Sequence, residues 1–102
     1  MRDDLPLGVL AAQLVHAAGE SAPGDLLAGT RAVVLAVSDE GGLLRVAERL
    51  EERRISHVCI REPDAPWHGQ AMAIGLAPLW NRRPARRVLG RLRLLNSEVD
   101  DE

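Results

Sequence analysis

Gln13 and His16 are the polar side chains of the first predicted helix that are best suited to chemistry. They are three positions apart, so both side chains point the same way from a helix. The helix side that carries them is expected to face away from the core; it also holds Gly8, Val9 and Ala12 and has no charged residue. A helix side that is neither strongly apolar nor charged is typical of a pocket wall or a packed interface.

A second chemical segment surrounds Pro63, which is flanked by Glu62 and Asp64 and followed by His68. Carboxylates can hold one tautomer of an imidazole ring, and an imidazole can accept a proton from water. The alternative for the two acids is an ordinary rigid turn, and for each histidine, including His57, a structural role.

No metal site and no cofactor are predicted. The three histidines lie in separate segments and lack the short spacing that metal ligands on one helix show. Cys59 is the single cysteine, and its apolar neighbours Val58 and Ile60 indicate an inert core thiol.

All basic residues are arginines, and six of them cluster near the end of the chain without an intervening acid. They are Arg82, Arg83, Arg86, Arg87, Arg91 and Arg93. The planar guanidinium group binds phosphate through paired hydrogen bonds and stays charged, so the cluster suits a phosphate-rich ligand. The alternative is a solvated helix and strand edge.

The composition predicts one domain over residues 1–95 and an acidic, disordered tail over residues 96–102. Phe and Tyr are absent, so two tryptophans, Trp67 and Trp80, are the only rings that could stack on bases. No apolar run is long enough to cross a bilayer, and no signal peptide is recognised. We therefore expect a cytoplasmic protein with no membrane contact.

Hydrophobic periodicity predicts a first helix that starts at Asp4 to Pro6 and stops at Gly19. The apolar stripe expected to face the core is Leu7, Leu10, Ala11, Leu14, Val15 and Ala18. A second helix is expected from Ser38 or Asp39 to about Arg53, on the stripe Leu43, Val46, Ala47 and Leu50.

Strands are predicted at 32–37, 55–60 and 70–77, with a last short strand at 92–95 and a short helix at 84–88. The order strand, helix, strand over 32–60 favours a βαβ unit with a parallel strand pair. The expected fold is α/β, a three-layer α/β/α sandwich with a small mixed sheet.

The chain resembles the class II peptidyl-tRNA hydrolases along nearly its whole length. The fairly specific part runs from Arg2-Asp3-Asp4-Leu5-Pro6-Leu7-Gly8 to Ala11-Ala12-Gln13-Leu14-Val15-His16-Ala17. Shorter similarities follow in order at Val33 to Ser38, at Ile74-Gly75-Leu76-Ala77-Pro78 and at Gly90-Arg91-Leu92-Arg93-Leu94. The family has a β-strand ahead of the first motif, which is missing here because Met1 directly precedes Arg2.

The chain departs from the family pattern in two places. The family's conserved lysine has no counterpart, and this sequence contains no lysine. The family's loop with aspartate and threonine is replaced by the segment 61–70, in which Glu62 or Asp64 could take the place of the aspartate.

The resemblance implies hydrolysis of the ester bond between a peptide, or an N-blocked amino acid, and tRNA. His16 would orient or deprotonate water, Glu62 or Asp64 would hold the imidazole, and Gln13 with backbone N–H groups would stabilise the oxyanion. His68, in the substituted loop, is a further candidate for the site. The tRNA phosphates would be bound by Arg82, Arg83, Arg86, Arg87 and Arg91. The alternatives are a non-catalytic module that binds RNA or protein, and a regulatory homodimer.

Overall fold

The chain folds into a small mixed α/β structure in the computed structural model, which describes residues 1–25, 28–79 and 81–95. Within these residues the elements are α1 (Leu7–Ser21), α2 (Glu40–Glu52), β1 (Val58–Glu62), β2 (Gln70–Gly75) and α3 (Arg83–Leu89). Trp80 and the predicted tail at 96–102 lie outside the described residues.

The two strands form an antiparallel hairpin. Val58 lies opposite Gly75 and Glu62 opposite Gln70, and the register shifts between Ile60 and Arg61. The connecting turn over 63–69 is short, which suits antiparallel neighbours because a parallel pair needs a long crossover.

Extended chain continues the hydrogen bonding beyond β2. The backbone N–H of Arg2 donates to the carbonyl of Met72 at 3.3 Å, and that of Val37 donates to the carbonyl of Met1 at 2.9 Å. Arg2 and Val37 form a parallel bridge, while Leu35 and Leu94 form an antiparallel one. The segment at Met1 to Asp3 therefore lies between β2 and Val37.

The predicted parallel pair within residues 32–60 is wrong. β1 pairs with β2, and residues 35 and 37 form only isolated bridges, to Leu94 and Arg2. The reason is that residues 1–3 occupy the position beside Val37, and the short turn draws β2 onto β1. The two predicted strands at 32–37 and 92–95 are thus extended segments with single bridges.

The apolar stripe predicted to face the core from α1 is wrong in part: Leu10 of that stripe is buried, but Leu7 and Val15 are not. Leu7 and Val15 are 75% and 71% exposed, whereas the buried residues of the helix are Leu10, Gln13 and Ala17. The helix packs closely on β2, where a Cβ added at Gly75 would lie 2.4 Å from the carbonyl oxygen of Ala17. This contact selects the side of the helix that is buried.

Helix α2 agrees with its prediction. The side chain of Asp39 caps it by accepting a hydrogen bond from the N–H of Gly42 at 2.8 Å. Its buried residues, Leu43, Val46 and Leu50, pack with Ala71 of β2 and Val88 of α3 in one cluster of the core. The short α3 is confirmed too, with Pro84 in its first turn. Among the described helices, none has the length and apolar character to cross a membrane.

Candidate functional site

Gln13 of α1 and Glu62 of β1 are in direct contact. The Nε2 atom of Gln13 donates a hydrogen bond to Oε1 of Glu62 at 3.2 Å, and the backbone N–H of Asp64 donates to Oε2 of Glu62 at 3.3 Å. The two segments singled out in the sequence, the first helix and the acidic turn, therefore meet at the Glu62 carboxylate.

Gln13 lies on the packed side of α1 and is only 2% exposed, so the prediction that it points away from the core is wrong. Its Oε1 atom is buried and has no hydrogen-bond partner among the described residues. Exchanging the oxygen and the nitrogen would turn the oxygen toward the Glu62 carboxylate, which repels it. The amide therefore holds Glu62 in place.

His16 is exposed on α1 and makes no hydrogen bond or ion pair within the described part of the chain. His16 and Gln13 thus differ in environment although they are one turn apart. His68 is also exposed and has a φ of 46° in the turn that joins β1 to β2. The exposed Asp64 helps to close this turn, because its carbonyl accepts the N–H groups of Trp67 and His68 at 2.9 and 3.1 Å.

Arg2 organises the neighbouring part of the site and was not recognised as a site residue from the sequence. Its guanidinium donates to both carboxylate oxygens of Asp4, at 2.9 and 2.8 Å, and to Oε1 of Gln70 at 2.9 Å. It also lies 5.8 Å from the ring centre of Trp67. The signal that could have indicated this pair is an arginine and an aspartate two residues apart in the first motif.

The pairing of Arg2 with Asp4 shifts the pKa values of both residues. The hydrogen bond lowers the pKa of the Asp4 carboxyl and raises that of the Arg2 guanidinium, outweighing the opposing effect of burial. Because Arg2 is only 5% exposed and contacts β2 as well, it fixes the first residues of the chain against the sheet and the turn.

The clustered arginines lie on and around α3. Arg82, Arg83, Arg86, Arg87 and Arg91 are all exposed. Arg93 differs from them, because it forms a salt bridge with Asp3. The arginines on and around α3 therefore form a charged surface. No contact within the described residues connects this surface with Glu62.

The remaining candidates are structural. His57 is held by a 2.8 Å hydrogen bond between its Nδ1 atom and the carbonyl of Ile55. Cys59 is half-buried, and burial raises the pKa of its thiol. In the described ranges no three His, Cys, Asp or Glu side chains are grouped so as to hold a metal ion.

The chain has no match among protein-family models, curated proteins or solved structures. The functional argument therefore depends on the site itself. Its chemical content is a half-buried carboxylate positioned by an amide, with two exposed imidazoles on the adjoining helix and turn and a separate arginine surface.

Proposed function

We propose that the chain is a peptidyl-tRNA hydrolase-like protein that cleaves the ester bond between a peptide, or an N-blocked amino acid, and tRNA. The observation that carries the proposal is the hydrogen bond between Gln13 and Glu62. It joins the Ala-Ala-Gln part of the first motif to the acidic turn, which are the two segments that the resemblance identifies as the site.

In the proposed reaction a water oxygen attacks the ester carbonyl carbon, and its proton passes to Glu62 or, through solvent, to His16 or His68. The carbon–oxygen bond to the ribose then breaks, and the ribose oxygen takes up the proton. Gln13 acts as a positioning residue for Glu62, because its Nε2 already donates to that carboxylate. Asp64 contributes its backbone N–H to the same carboxylate. The reaction uses water and requires no cofactor.

The substrate side of the proposal assigns the tRNA phosphates to the exposed arginines. These are Arg82, Arg83, Arg86, Arg87 and Arg91. Guanidinium contacts to phosphate do not read base sequence, which suits a substrate class composed of many tRNAs. We expect this activity in the cytoplasm, because its proposed substrate, peptidyl-tRNA, arises during translation.

The finer fold belongs to the same proposal: a three-layer α/β/α sandwich with a small mixed sheet. It is supported by the parallel bridge between Arg2 and Val37 and the antiparallel bridge between Leu35 and Leu94, which extend the hairpin on one side.

A second candidate is a binding module that keeps the arginine surface without catalysis. It is favoured by the position of His16, which is exposed and has no described carboxylate partner. The binding module could also act as a regulatory homodimer. The observation that favours a dimer is the exposure of Leu7 and Val15 on α1, which leaves apolar surface in contact with solvent.

Release of the N-acetylated amino acid from N-acetyl-aminoacyl-tRNA tests the proposal, with retention of tRNA on a filter measured in parallel. We expect hydrolysis by the unmodified chain, and its loss in Glu62→Gln, which keeps an acceptor for Gln13. His16→Ala and His68→Ala, compared with each other, identify the imidazole that takes part. Retention without hydrolysis would favour the binding module. If neither hydrolysis nor retention is observed, the regulatory homodimer is the remaining candidate, and sedimentation measures whether the chain dimerises.

A further inference from the structure

The arginines of α3 continue onto α2. The Nη2 atom of Arg49 donates a hydrogen bond to the backbone carbonyl of Arg87 at 2.8 Å. This carbonyl lies in the last turn of α3, where carbonyl groups lack partners within the helix. The guanidinium of Arg49 is thereby fixed beside the most basic part of α3.

Arg53 lies one turn further along the chain, directly after the last residue of α2, and lines a shallow open depression together with Arg49 and Glu52. The side chain of Arg53 makes no hydrogen bond within the described residues. The exposed arginines near the C-terminal end of α2, on α3 and in the following loop include Arg49, Arg53, Arg83, Arg86, Arg87 and Arg91.

None of these six guanidinium groups forms a salt bridge within the described residues, although the acids Glu48, Glu51 and Glu52 are exposed on the same helix as Arg49. In the described part of the chain, the salt bridges join Arg2 to Asp4, His57 to Glu51 and Arg93 to Asp3, and none includes an arginine of α2 or α3. Like charges held close together repel one another, and the repulsion is relieved when an anion binds between them. A single small anion cannot satisfy a row of charges on two helices, whereas successive phosphates of a nucleic-acid backbone can.

We propose that α2 and α3 together form one RNA-backbone-binding surface, in which Arg49 and Arg53 contact phosphates beside those bound by the arginines of α3. The inference rests on the proposed function, since it extends the tRNA surface to a second helix. The hydrogen bond from Arg49 to Arg87 marks the point where the arginines of α2 and those of α3 lie side by side. Glu52, in the same depression, weakens the local positive potential.

The experiment measures filter retention of tRNA by the full chain over a range of salt concentrations. In Arg49→Gln combined with Arg53→Gln we expect about tenfold weaker retention at about 0.2 M salt, and a fall of about 1.5 in the slope of log K against log salt, as expected for two lost phosphate contacts. Glu52→Gln is expected to strengthen retention about twofold to threefold, because it removes the acid that lines the depression among the described residues.

Arg45→Gln is the matched control. Arg45 is an exposed arginine of the same helix, but its guanidinium lies beside Gly41 and Gly42, at the opposite end from Arg53. Retention by this variant should equal that of the unmodified chain. Arg53→Gln alone guards against a folding defect, since it leaves the hydrogen bond from Arg49 to α3 intact.

The outcomes separate this inference from the proposed function. If Arg86→Glu combined with Arg87→Glu weakens retention several-fold while the α2 double variant retains tRNA normally, the two-helix surface is wrong and the α3 site survives. If none of the variants changes retention, both proposals fail. Capture by phosphatidylserine vesicles without retention of tRNA would also overturn the inference, because it identifies a membrane as the anionic partner.

Discussion

The amide of Gln13 and the carboxylate of Glu62 are joined by a 3.2 Å hydrogen bond, although 49 positions separate them in the chain. One partner is almost completely buried in α1, and the other ends β1 at the edge of the turn. Because of this contact, the packing of α1 determines the position of the Glu62 carboxylate. The contact also leaves Oε1 of Gln13 without a partner among the described residues.

Gln13→Leu is expected to leave the free energy of unfolding unchanged or to raise it by about 1 kcal/mol. A buried polar atom without a partner costs about 1–3 kcal/mol, and Glu62 can exchange the lost donor for water. Gln13→Glu should instead lower the stability by about 2 kcal/mol or more, because it places a second carboxylate beside Glu62. Urea denaturation of the two variants measures the difference, and a Leu variant that is much less stable than the Glu variant would contradict this account.

Gly75→Ala is expected to lower the free energy of unfolding by about 1–3 kcal/mol, the usual effect of overpacking. The added Cβ would lie 2.4 Å from the carbonyl oxygen of Ala17 and 2.8 Å from Oγ of Ser21, so α1 would have to move away from β2. Gly8→Ala is the control, because no atom lies within 4 Å of the added Cβ there. It should stabilise the chain slightly by favouring the helix. Equal thermal stabilities of both variants would show that α1 is not held this closely.

In a chain that starts at Met1, the stability is expected to depend on pH because the N-terminal amine is buried. It donates to the carbonyl of Leu35 at 3.0 Å, and burial lowers its pKa from 8.0 to about 6. Between pH 6 and pH 8 the unfolded chain binds more protons than the folded one, so stability rises with pH over this range. A shift of two units corresponds to at most about 2.7 kcal/mol.

Urea denaturation at pH 6, 7 and 8 measures this rise. The control is the chain acetylated at its N-terminus, which cannot titrate there and keeps an N–H for Leu35. The amine has no part in the effect if the acetylated chain shows the same rise between pH 6 and pH 8.

Arg86→Glu combined with Arg87→Glu should weaken tRNA retention several-fold at low salt, because it replaces two phosphate donors with two repelling charges. Both residues are exposed in the last turn of α3, where the fold tolerates changes of charge better than in the core. Arg31→Glu, a reversal at another exposed arginine, is the control. Unchanged retention by the double variant would exclude α3 from the phosphate contacts.

Helix α2 could be predicted closely because its sequence alternates clearly between a charged side and an apolar stripe. Such a helix has one energetically acceptable orientation, and Leu43, Val46 and Leu50 are buried as expected. Helix α1 lacks this contrast, since it is apolar or small around most of its circumference. Several orientations therefore cost similar energy, and the periodicity placed the exposed Leu7 and Val15 in the core.

Only part of the candidate site could be predicted from the sequence, because its contacts join distant segments of the chain. The residue types at Gln13, Glu62 and the acidic turn indicated where chemistry was plausible, and the contact between Gln13 and Glu62 joins them. The burial of Gln13 could not be predicted from the residue types around it. The sequence also did not reveal the contacts of Arg2 with Gln70 and Trp67, because residues about 65 positions apart meet only once the sheet has formed.

Local sequence by itself determined that the chain forms mixed α/β structure, where α2 and α3 begin, and that the positive charges concentrate near the end of the chain. These properties depend on caps, prolines, periodicity and charge, which act over a few residues. Tertiary structure alone decided which side of α1 is buried, that β1 pairs with β2, and that Arg49 meets Arg87. These are contacts between distant segments, and their energies depend on how closely helices and strands can approach, as the space beside Gly75 illustrates.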